Sequence, residues 1–144
     1  MKYKSLLVVL LAGAACLPLL SCGEDLSELR QKAEQGNADA QFILGCAYAD
    51  GEDVPQDFHE AARWYRLAAE QGDVSAQCNL GRAYADGKGV QQDYSQAYAW
   101  FNIAAAQGDD NAAKTRTALM TKMPSAQIEE GRRLSQEYAK KFIK

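Results

Sequence analysis

Residues 36–71 read GNADAQFILGCAYADGEDVPQDFHEAARWYRLAAEQ, and residues 72–107 read GDVSAQCNLGRAYADGKGVQQDYSQAYAWFNIAAAQ. The two 36-residue stretches are identical at 18 positions when aligned without a gap. A repeat of this length is typical of helical hairpins that stack into a solenoid, where each hairpin contacts only its neighbours. The sequence therefore predicts an all-α, right-handed helical-hairpin solenoid, whose main functional feature is an extended surface.

Each copy of the repeat predicts two helices joined by a loop. The first helices are expected at about 38–49 and 74–85. Asp57 and Asp93 follow the loops, and their side chains are suited to cap the second helices at the N-terminus. Each second helix is expected to run to the glycine that opens the next repeat, because glycine readily adopts the left-handed conformation that ends a helix.

Glycines inside the first helices indicate close packing. Gly45 and Gly81 occupy the same place in the two copies, although glycine destabilises a helix interior relative to alanine. We expect the paired helix to approach so closely there that no side chain would fit. Val54 and Val90 recur in the loops and are expected to be buried as plugs.

Partial repeats are expected to cap both ends of the stack. Asp25 precedes Glu28 by three residues, a spacing typical of a helix N-terminus. At the other end, the pattern is lost after Ala112, and a final helix is expected with an apolar stripe of Ile128, Leu134, Tyr138 and Phe142. The predicted organisation is a signal peptide at 1–21, an acylated cysteine and tether at 22–24, and a solenoid at 25–144, divided into a cap helix at 25–35, two repeats at 36–107 and a partial repeat with C-terminal cap at 108–144.

The start of the chain predicts export. Lys2 and Lys4 precede an apolar run at 6–20, which is shorter than the roughly 20 residues of a transmembrane helix and is typical of a signal peptide. Residues 19–22, Leu-Leu-Ser-Cys, resemble a bacterial lipobox, which implies acylation of Cys22. Ordinary cleavage that leaves Cys22 as a thiol is the alternative. Cys16 is a weaker candidate because its preceding residues lack the leading leucine.

A lipid anchor at Cys22 predicts a location at the bacterial cell envelope, with the chain facing the periplasm. Residue 23 is glycine rather than the aspartate that typically retains a lipoprotein in the inner membrane, so the outer membrane is favoured. Two residues, 23 and 24, separate Cys22 from the first predicted helix. Because two extended residues span about 7 Å, the solenoid is expected to lie almost on the bilayer.

The charge distribution argues against nucleic acid as a partner. Removal of residues 1–21 takes away two lysines and no acids, so the net charge falls from −3 to −5. Residues 22–113 carry 16 acids and 6 bases, whereas residues 114–144 carry 3 acids and 8 bases. Binding to phosphates requires a basic surface, which the repeats lack. The basic end is explained by the preference of helix C-termini for cations, or alternatively by contact with an anionic surface or acidic partner.

The repeat resembles the Sel-one-like repeat (SLR), a relative of the tetratricopeptide repeat, over residues 33–144. Its pattern of small, aromatic and turn residues is met in the first copy, and again at each equivalent position of the second, by Ala40, Leu44, Gly45, Tyr48, Gly51, Val54, Asp57, Ala61, Trp64, Ala68, Ala69 and Gly72. The resemblance implies an adaptor or regulator that holds partner proteins. It also implies export, which is frequent among bacterial members, and it supplies no catalytic residues.

Candidate catalytic, metal and cofactor residues are sparse. His59 is the only histidine and corresponds to Ser95 in the second copy, so we interpret it as a solvated side chain. Asp50 recurs as Asp86, which favours a structural role in the turn. The loop that begins at Asp50 lacks the oxygen ligands of a calcium loop. We therefore expect no catalytic residues, no metal, no cofactor and no small-molecule substrate.

Cys46 and Cys78 are the two cysteines within the repeats, and they lie on equivalent helices one helical turn apart. Neighbouring helices pack about 8–10 Å apart, and a disulfide requires Cα atoms within about 7 Å. The spacing leaves open whether they form a bridge or two separate, partly buried thiols. Disulfides in the family the chain resembles often join the two helices of one hairpin, which these positions do not.

Residues that differ between the copies are candidates for function, because shared residues are explained by the scaffold. One such set lies on one side of the first helices, which line the concave face in superhelical hairpin repeats. We name this set the variable stripe; it comprises Phe42, Ile43, Cys46, Cys78, Asn79 and Arg82. It predicts a surface for a protein or peptide partner, and the alternative is that these residues cover the seam between repeats.

The leading functional hypothesis is a non-catalytic adaptor in the cell envelope that binds a protein or peptide in its groove. An inhibitor or regulator of a periplasmic enzyme or signalling system is the alternative. A purely structural envelope protein is a further possibility. A small hydrolase is disfavoured, because the sequence lacks a cluster of catalytic residue types.

Overall fold

The computed structural model describes residues 25–143, which fold into seven α-helices without a strand. The signal peptide, the acylation of Cys22 and the tether, which are predicted for residues 1–24, lie outside the described residues, as does Lys144. The helices are α1 (Leu26–Glu34), α2 (Ala38–Asp50), α3 (Phe58–Glu70), α4 (Val74–Asp86), α5 (Tyr94–Ala106), α6 (Asp110–Met120) and α7 (Ser125–Phe142). The predicted all-α hairpin architecture is confirmed, with α2–α3 and α4–α5 as the two full repeats.

Side-chain caps begin the helices where the sequence predicts them. Oδ1 of Asp57 accepts hydrogen bonds from the backbone N–H groups of His59 and Glu60, at 2.9 and 3.1 Å. Asp93 repeats this arrangement at the start of α5. The helices end equally regularly, because the glycine that opens each repeat has a positive φ, 95° at Gly36 and 94° at Gly72. Local sequence therefore fixes the helix boundaries.

The hairpins stack in chain order, and consecutive helices from α1 to α6 pack against one another. Buried residues form a small cluster where α1 covers the first hairpin and a larger one through the rest of the stack. Gln41 and Gln77 are buried polar residues at equivalent places. Their side-chain amides donate to the carbonyl oxygens of Ala33 and Ala69 at 3.0 and 3.2 Å, so a hydrogen bond joins each first helix to the helix before it.

The helix-interior glycines mark close approach, as predicted. A β-carbon added at Gly45 would lie 2.7 Å from the ring of Tyr65. At Gly81 it would lie 3.0 Å from the ring of Phe101. Since real β-carbons essentially never approach other atoms within 3.0 Å, an alanine at Gly45 would require the Tyr65 ring or one of the two helices to shift.

The last helix, α7, packs chiefly against α5 rather than against α6. Ring centroids of Tyr138 and Trp100 lie 4.9 Å apart, and a β-carbon at Gly131 would lie 2.7 Å from the ring of Tyr98. The predicted stripe is correct for Ile128, Tyr138 and Phe142, which pack on the core. Leu134 does not belong to the packed set. Gly131 and Ser135 face α5 instead, because small residues allow the closest approach of the two helices.

Each of the two loops carries a valine, and the two valines differ in burial. Val54 is buried, as expected, whereas Val90 is half-buried. None of the helices in residues 25–143 combines the length and apolar character needed to cross a membrane.

Candidate partner-binding surface

Tyr65 of α3 lies at the centre of the variable stripe. Its ring centroid is 6.0 Å from that of Phe42 on α2, and its hydroxyl is 3.6 Å from Sγ of Cys46. Asn79 on α4 is also a hydrogen-bond partner of the Tyr65 side chain. Nη1 of Arg82 donates to Oδ1 of Asn79 at 3.4 Å. The structure therefore brings the α2 and α4 parts of the stripe together around one tyrosine.

Tyr65 itself is 5 % exposed and belongs to the core beneath the stripe; sequence reasoning did not predict that it contacts the stripe. The equivalent residues are Leu29 and Phe101, so the position reads as part of the apolar core. Burial raises the pKa of the Tyr65 phenol well above its ordinary value, with a partly opposing effect of the Asn79 hydrogen bond. The one indication in the sequence was the hydroxyl group of Tyr65, which the equivalent residues Leu29 and Phe101 lack.

The members of the stripe differ in exposure. Cys46 is 7 % exposed, and Ile43 packs against the small cluster next to α1. Phe42 and Cys78 are half-buried against the main core. Packing at the boundary between repeats buries much of the side-chain surface of these four residues. Cys46 in particular offers little surface to a partner.

Asn79 and Arg82 are the polar end of the stripe. Asn79 is half-buried and Arg82 is exposed, and both have different residue types, Ile43 and Cys46, at the equivalent places of the first copy. The surface that a partner can reach therefore consists of Asn79, Arg82 and the open edges of Phe42 and Cys78. It combines an aromatic edge with a guanidinium and an amide.

Cys46 and Cys78 are not joined to each other. Cys46 is disulfide-bonded, and Cys78 is a free thiol, so the bridge that the spacing left open does not form. Burial raises the pKa of the Cys78 thiol to about 11, and the carboxylate of Asp109 adds to the increase, since it lies 3.9 Å from the sulfur. A thiol with this pKa is a poor nucleophile at neutral pH.

The described part of the chain contains no cluster of metal-ligating side chains. Within residues 25–143, no three His, Cys, Asp or Glu side chains lie where they could hold one metal ion. His59 is exposed near the start of α3. The arrangement around Tyr65 can offer shape, a hydrogen-bonding edge and one positive charge, which are properties of a binding surface.

Comparison with known proteins identifies the family. A family model of the Sel1 repeat matches residues 38–73 and 74–109. The chain belongs to the Sel1 repeat family. The matched segments begin at α2 and α4, and each ends at the N-cap of the next first helix. The SLR resemblance predicted from the repeat residues is thus confirmed.

Two solved structures support this Sel1 repeat fold. The crystal structure of a protective antigen present in uropathogenic Escherichia coli strains, which displays an SLR fold, is similar with a TM-score of 0.78 and 38 % identity over 81 % of this chain. A Sel1 repeat protein from Oxalobacter formigenes is similar with a TM-score of 0.64 and 40 % identity over 65 % of this chain.

A longer protein shares the repeat sequence. The secretory immunoglobulin A-binding protein EsiB of Escherichia coli O6:H1 is 43 % identical over 67 residues, which are 45 % of this chain. This Sel1 repeat chain spans 14 % of EsiB, and 25 % and 27 % of the two solved chains. The relatives support a protein-binding repeat scaffold as the general function class.

Proposed function

We propose that this Sel1 repeat protein is a non-catalytic adaptor that binds a protein or peptide on the face of the solenoid formed by the variable stripe. The cluster around Tyr65 is the observation that carries this proposal. It joins two neighbouring repeats at one surface, and its residues differ between copies of an otherwise similar scaffold. A binding protein named among the relatives, EsiB, adds support.

The partner is expected to present an apolar group next to an acidic or hydrogen-bonding group. Phe42 supplies a half-buried ring next to Tyr65, and Arg82 supplies an exposed guanidinium that donates to Asn79. Arginine and aromatic residues frequently dominate the energy of protein interfaces. Recognition would therefore combine burial at the Phe42 edge with a charge-assisted hydrogen bond from Arg82.

In-cell photo-crosslinking tests this surface directly. A photoreactive amino acid at Asn79 should give a discrete adduct, whose partner is then identified by mass spectrometry. The same amino acid at His59, which is exposed on α3, is the matched control and should give no such adduct. Equal adducts at both sites, or adducts at neither, would exclude the variable stripe as the partner surface.

We further propose that the protein is anchored through acylated Cys22, with the solenoid facing the periplasm, at the outer membrane. The lipobox-like residues 19–22 and the glycine at position 23 support this location. Metabolic labelling with an alkyne fatty acid should label the protein, and Cys22→Ser should abolish the label. Labelling that persists in Cys22→Ser would contradict the proposed anchor.

A further inference from the structure

A second polar surface lies at the loop end of the second repeat, away from the variable stripe. Arg66, Tyr84 and Gln96, together with the loop at 90–93, line an open cleft of about 490 Å³. Tyr84 lies two residues after Arg82 on α4, so the two side chains point about 160° apart at roughly 100° per residue. This surface, which we name the Arg66 cleft, is therefore distinct from the stripe.

The guanidinium of Arg66 is held in place without a charge partner. Its Nη2 donates to the hydroxyl of Tyr84 at 2.5 Å, and the group lies over the Tyr84 ring at 5.8 Å from the centroid. Among the carboxylates of residues 25–143, none forms an ion pair with Arg66. The side chain is exposed, so its remaining N–H donors are open to a ligand.

Gln96 presents a second donor to the same cleft. Its Oε1 accepts a hydrogen bond from the hydroxyl of Tyr138 at 2.6 Å. The acceptor end of the amide is therefore occupied, and its Nε2 makes no hydrogen bond with the rest of the described chain. Because α7 packs on α5, Tyr138 fixes which end of the Gln96 amide faces the cleft.

The cleft also contains one carboxylate, that of Asp93. Its Oδ1 accepts from the backbone N–H groups of Ser95 and Gln96 at 2.9 and 3.1 Å, as an N-cap. The positive end of the α5 dipole lies at the same place and offsets part of this negative charge. Asp57 serves identically in the first copy, so this carboxylate is explained by helix capping.

The first repeat provides an internal comparison. Nη2 of Arg30 donates to the hydroxyl of Tyr48 at 2.8 Å, which reproduces the Arg66–Tyr84 pair. The residue equivalent to Gln96 is Glu60, which pairs with Arg63 at 3.1 Å. The first copy thus has a carboxylate where the second has an amide donor, and only the second is suited to a negatively charged ligand.

We propose that the Arg66 cleft binds a carboxylate of a peptide or protein ligand, through the guanidinium of Arg66 and the side-chain amide of Gln96. Arginine matches a carboxylate through two parallel N–H donors. Side-chain carboxylates and the C-terminal carboxylate of a chain present the same chemistry, and the test distinguishes between them.

Three small probes and ¹⁵N NMR of the full-length protein test the proposal. N-acetyl-glutamate methylamide supplies a side-chain carboxylate, N-acetyl-glutamine a terminal carboxylate, and N-acetyl-glutamine methylamide neither. We expect the Arg66 Nε–H signal and the Gln96 amide signals to shift saturably with at least one of the first two probes. Equal shifts with the neutral probe would overturn the proposal.

Matched variants locate the site. Arg66→Gln should weaken carboxylate binding at least about tenfold, followed at the Gln96 amide. Gln96→Glu keeps an acceptor for Tyr138 but places a negative charge in the cleft, so it should abolish binding. The Arg66 Nε–H signal reports binding in this variant. Arg30→Gln should leave the affinity within about twofold. Unchanged affinity in Gln96→Glu, or equal losses in Arg30→Gln and Arg66→Gln, would contradict the site. Crosslinking from Asn79 reports on the other face, so the two proposals can fail separately.

Discussion

The side-chain amide of Gln71 donates to Oε1 of Gln41 over 2.7 Å, and one repeat later Gln107 makes the same bond, of the same length, to Gln77. Gln41 and Gln77 in turn donate to carbonyl oxygens of the preceding helices. Each repeat therefore carries a relay of two side-chain hydrogen bonds, which links three consecutive helices. A buried amide is costly unless its groups are paired, and here the pairing specifies the stacking register.

Gln77→Leu is expected to destabilise the protein by about 1–3 kcal/mol, because it leaves the Gln107 amide without its acceptor and removes the bond to Ala69. Gln77 and Ala69 are both fully buried, so water does not replace the bond to the Ala69 carbonyl, whereas the exposed Gln107 amide can turn to solvent. Urea denaturation measures the change in the free energy of unfolding. Gln91→Leu, at an exposed position of the loop, should change it by less than about 0.5 kcal/mol. Equal effects of the two substitutions would argue against the relay.

Gly89→Ala is expected to be more destabilising than Gly36→Ala. Both glycines have a positive φ, 74° and 95°, which costs an L-residue about 1–2 kcal/mol. A β-carbon at Gly89 would also lie 1.9 Å from the carbonyl oxygen of Phe58, whereas nothing lies within 4 Å at Gly36. The equivalent of Gly89 in the first copy is Asp53, with φ of 60°, so the backbone conformation alone does not demand glycine.

Thermal and urea unfolding of the two variants would separate the effects. We expect Gly89→Ala to lose about 1–3 kcal/mol more than Gly36→Ala, since overpacking adds to the conformational cost. The excess measures the contact between the second loop and α3. Losses of the same size would mean that the loop can move away from Phe58 without cost.

Tyr138→Ala is expected to destabilise the protein by about 2–3 kcal/mol, somewhat less than truncation of a fully buried aromatic residue. The substitution removes the stacking on Trp100 and the hydrogen bond to Gln96. Exposure of Trp100 should also shift its fluorescence to longer wavelength. Leu134→Ala is the matched control on the same helix, and it should cost less than about 1 kcal/mol. A larger loss of stability for Leu134→Ala would support the apolar stripe predicted from sequence, which includes Leu134.

Alkylation of Cys78 is expected to be slow at pH 8 and to accelerate about tenfold per pH unit up to about pH 11. The pKa of this thiol is raised to about 11 by burial and by Asp109, and only the thiolate reacts. Because the pKa is raised, the neutral thiol predominates below pH 11, and the small thiolate fraction that reacts grows about tenfold with each pH unit up to the pKa. Peptide mapping by mass spectrometry after iodoacetamide treatment measures the rate at Cys78 specifically.

Two substitutions should change this rate in opposite directions. Asp109→Asn removes a negative charge that raises the pKa, so alkylation at pH 8 should become faster, and asparagine remains a good N-cap. Arg82→Gln removes a positive charge that lowers the pKa of Cys78, so alkylation should become slower. Rates that change in the same direction would show that accessibility, rather than charge, controls the thiol.

Local sequence was sufficient for the helix boundaries and for the close helix pairs. Capping by Asp57 and the left-handed glycines depend on residues within a few positions of each other. Gly45 predicts a close approach of two helices, because glycine destabilises a helix interior and tight packing would compensate for that loss of stability. The relay glutamines were equally visible, since Gln41 and Gln71 recur as Gln77 and Gln107, but recurrence alone does not show which groups they join.

The site was predicted less completely than the fold. The variable stripe includes Asn79 and Arg82, which are half-buried and exposed, but also Cys46, which is buried. The difference arises because a helix presents adjacent positions to different neighbours. Ile43 faces the cluster near α1, whereas Phe42 packs near Tyr65, and the repeat pattern does not distinguish these directions.

The sequence by itself determined the repeat length, the caps, the glycine contacts and the Sel1 repeat family, because each depends on residues that are near in the chain or recur at a fixed distance. The tertiary structure alone decided that α7 covers α5, that Tyr65 joins the two halves of the stripe and that Arg66 and Gln96 line one cleft. These features depend on contacts such as Gln96–Tyr138, which joins residues 42 positions apart. Their geometry is set by how whole helices pack, and no local pattern encodes it.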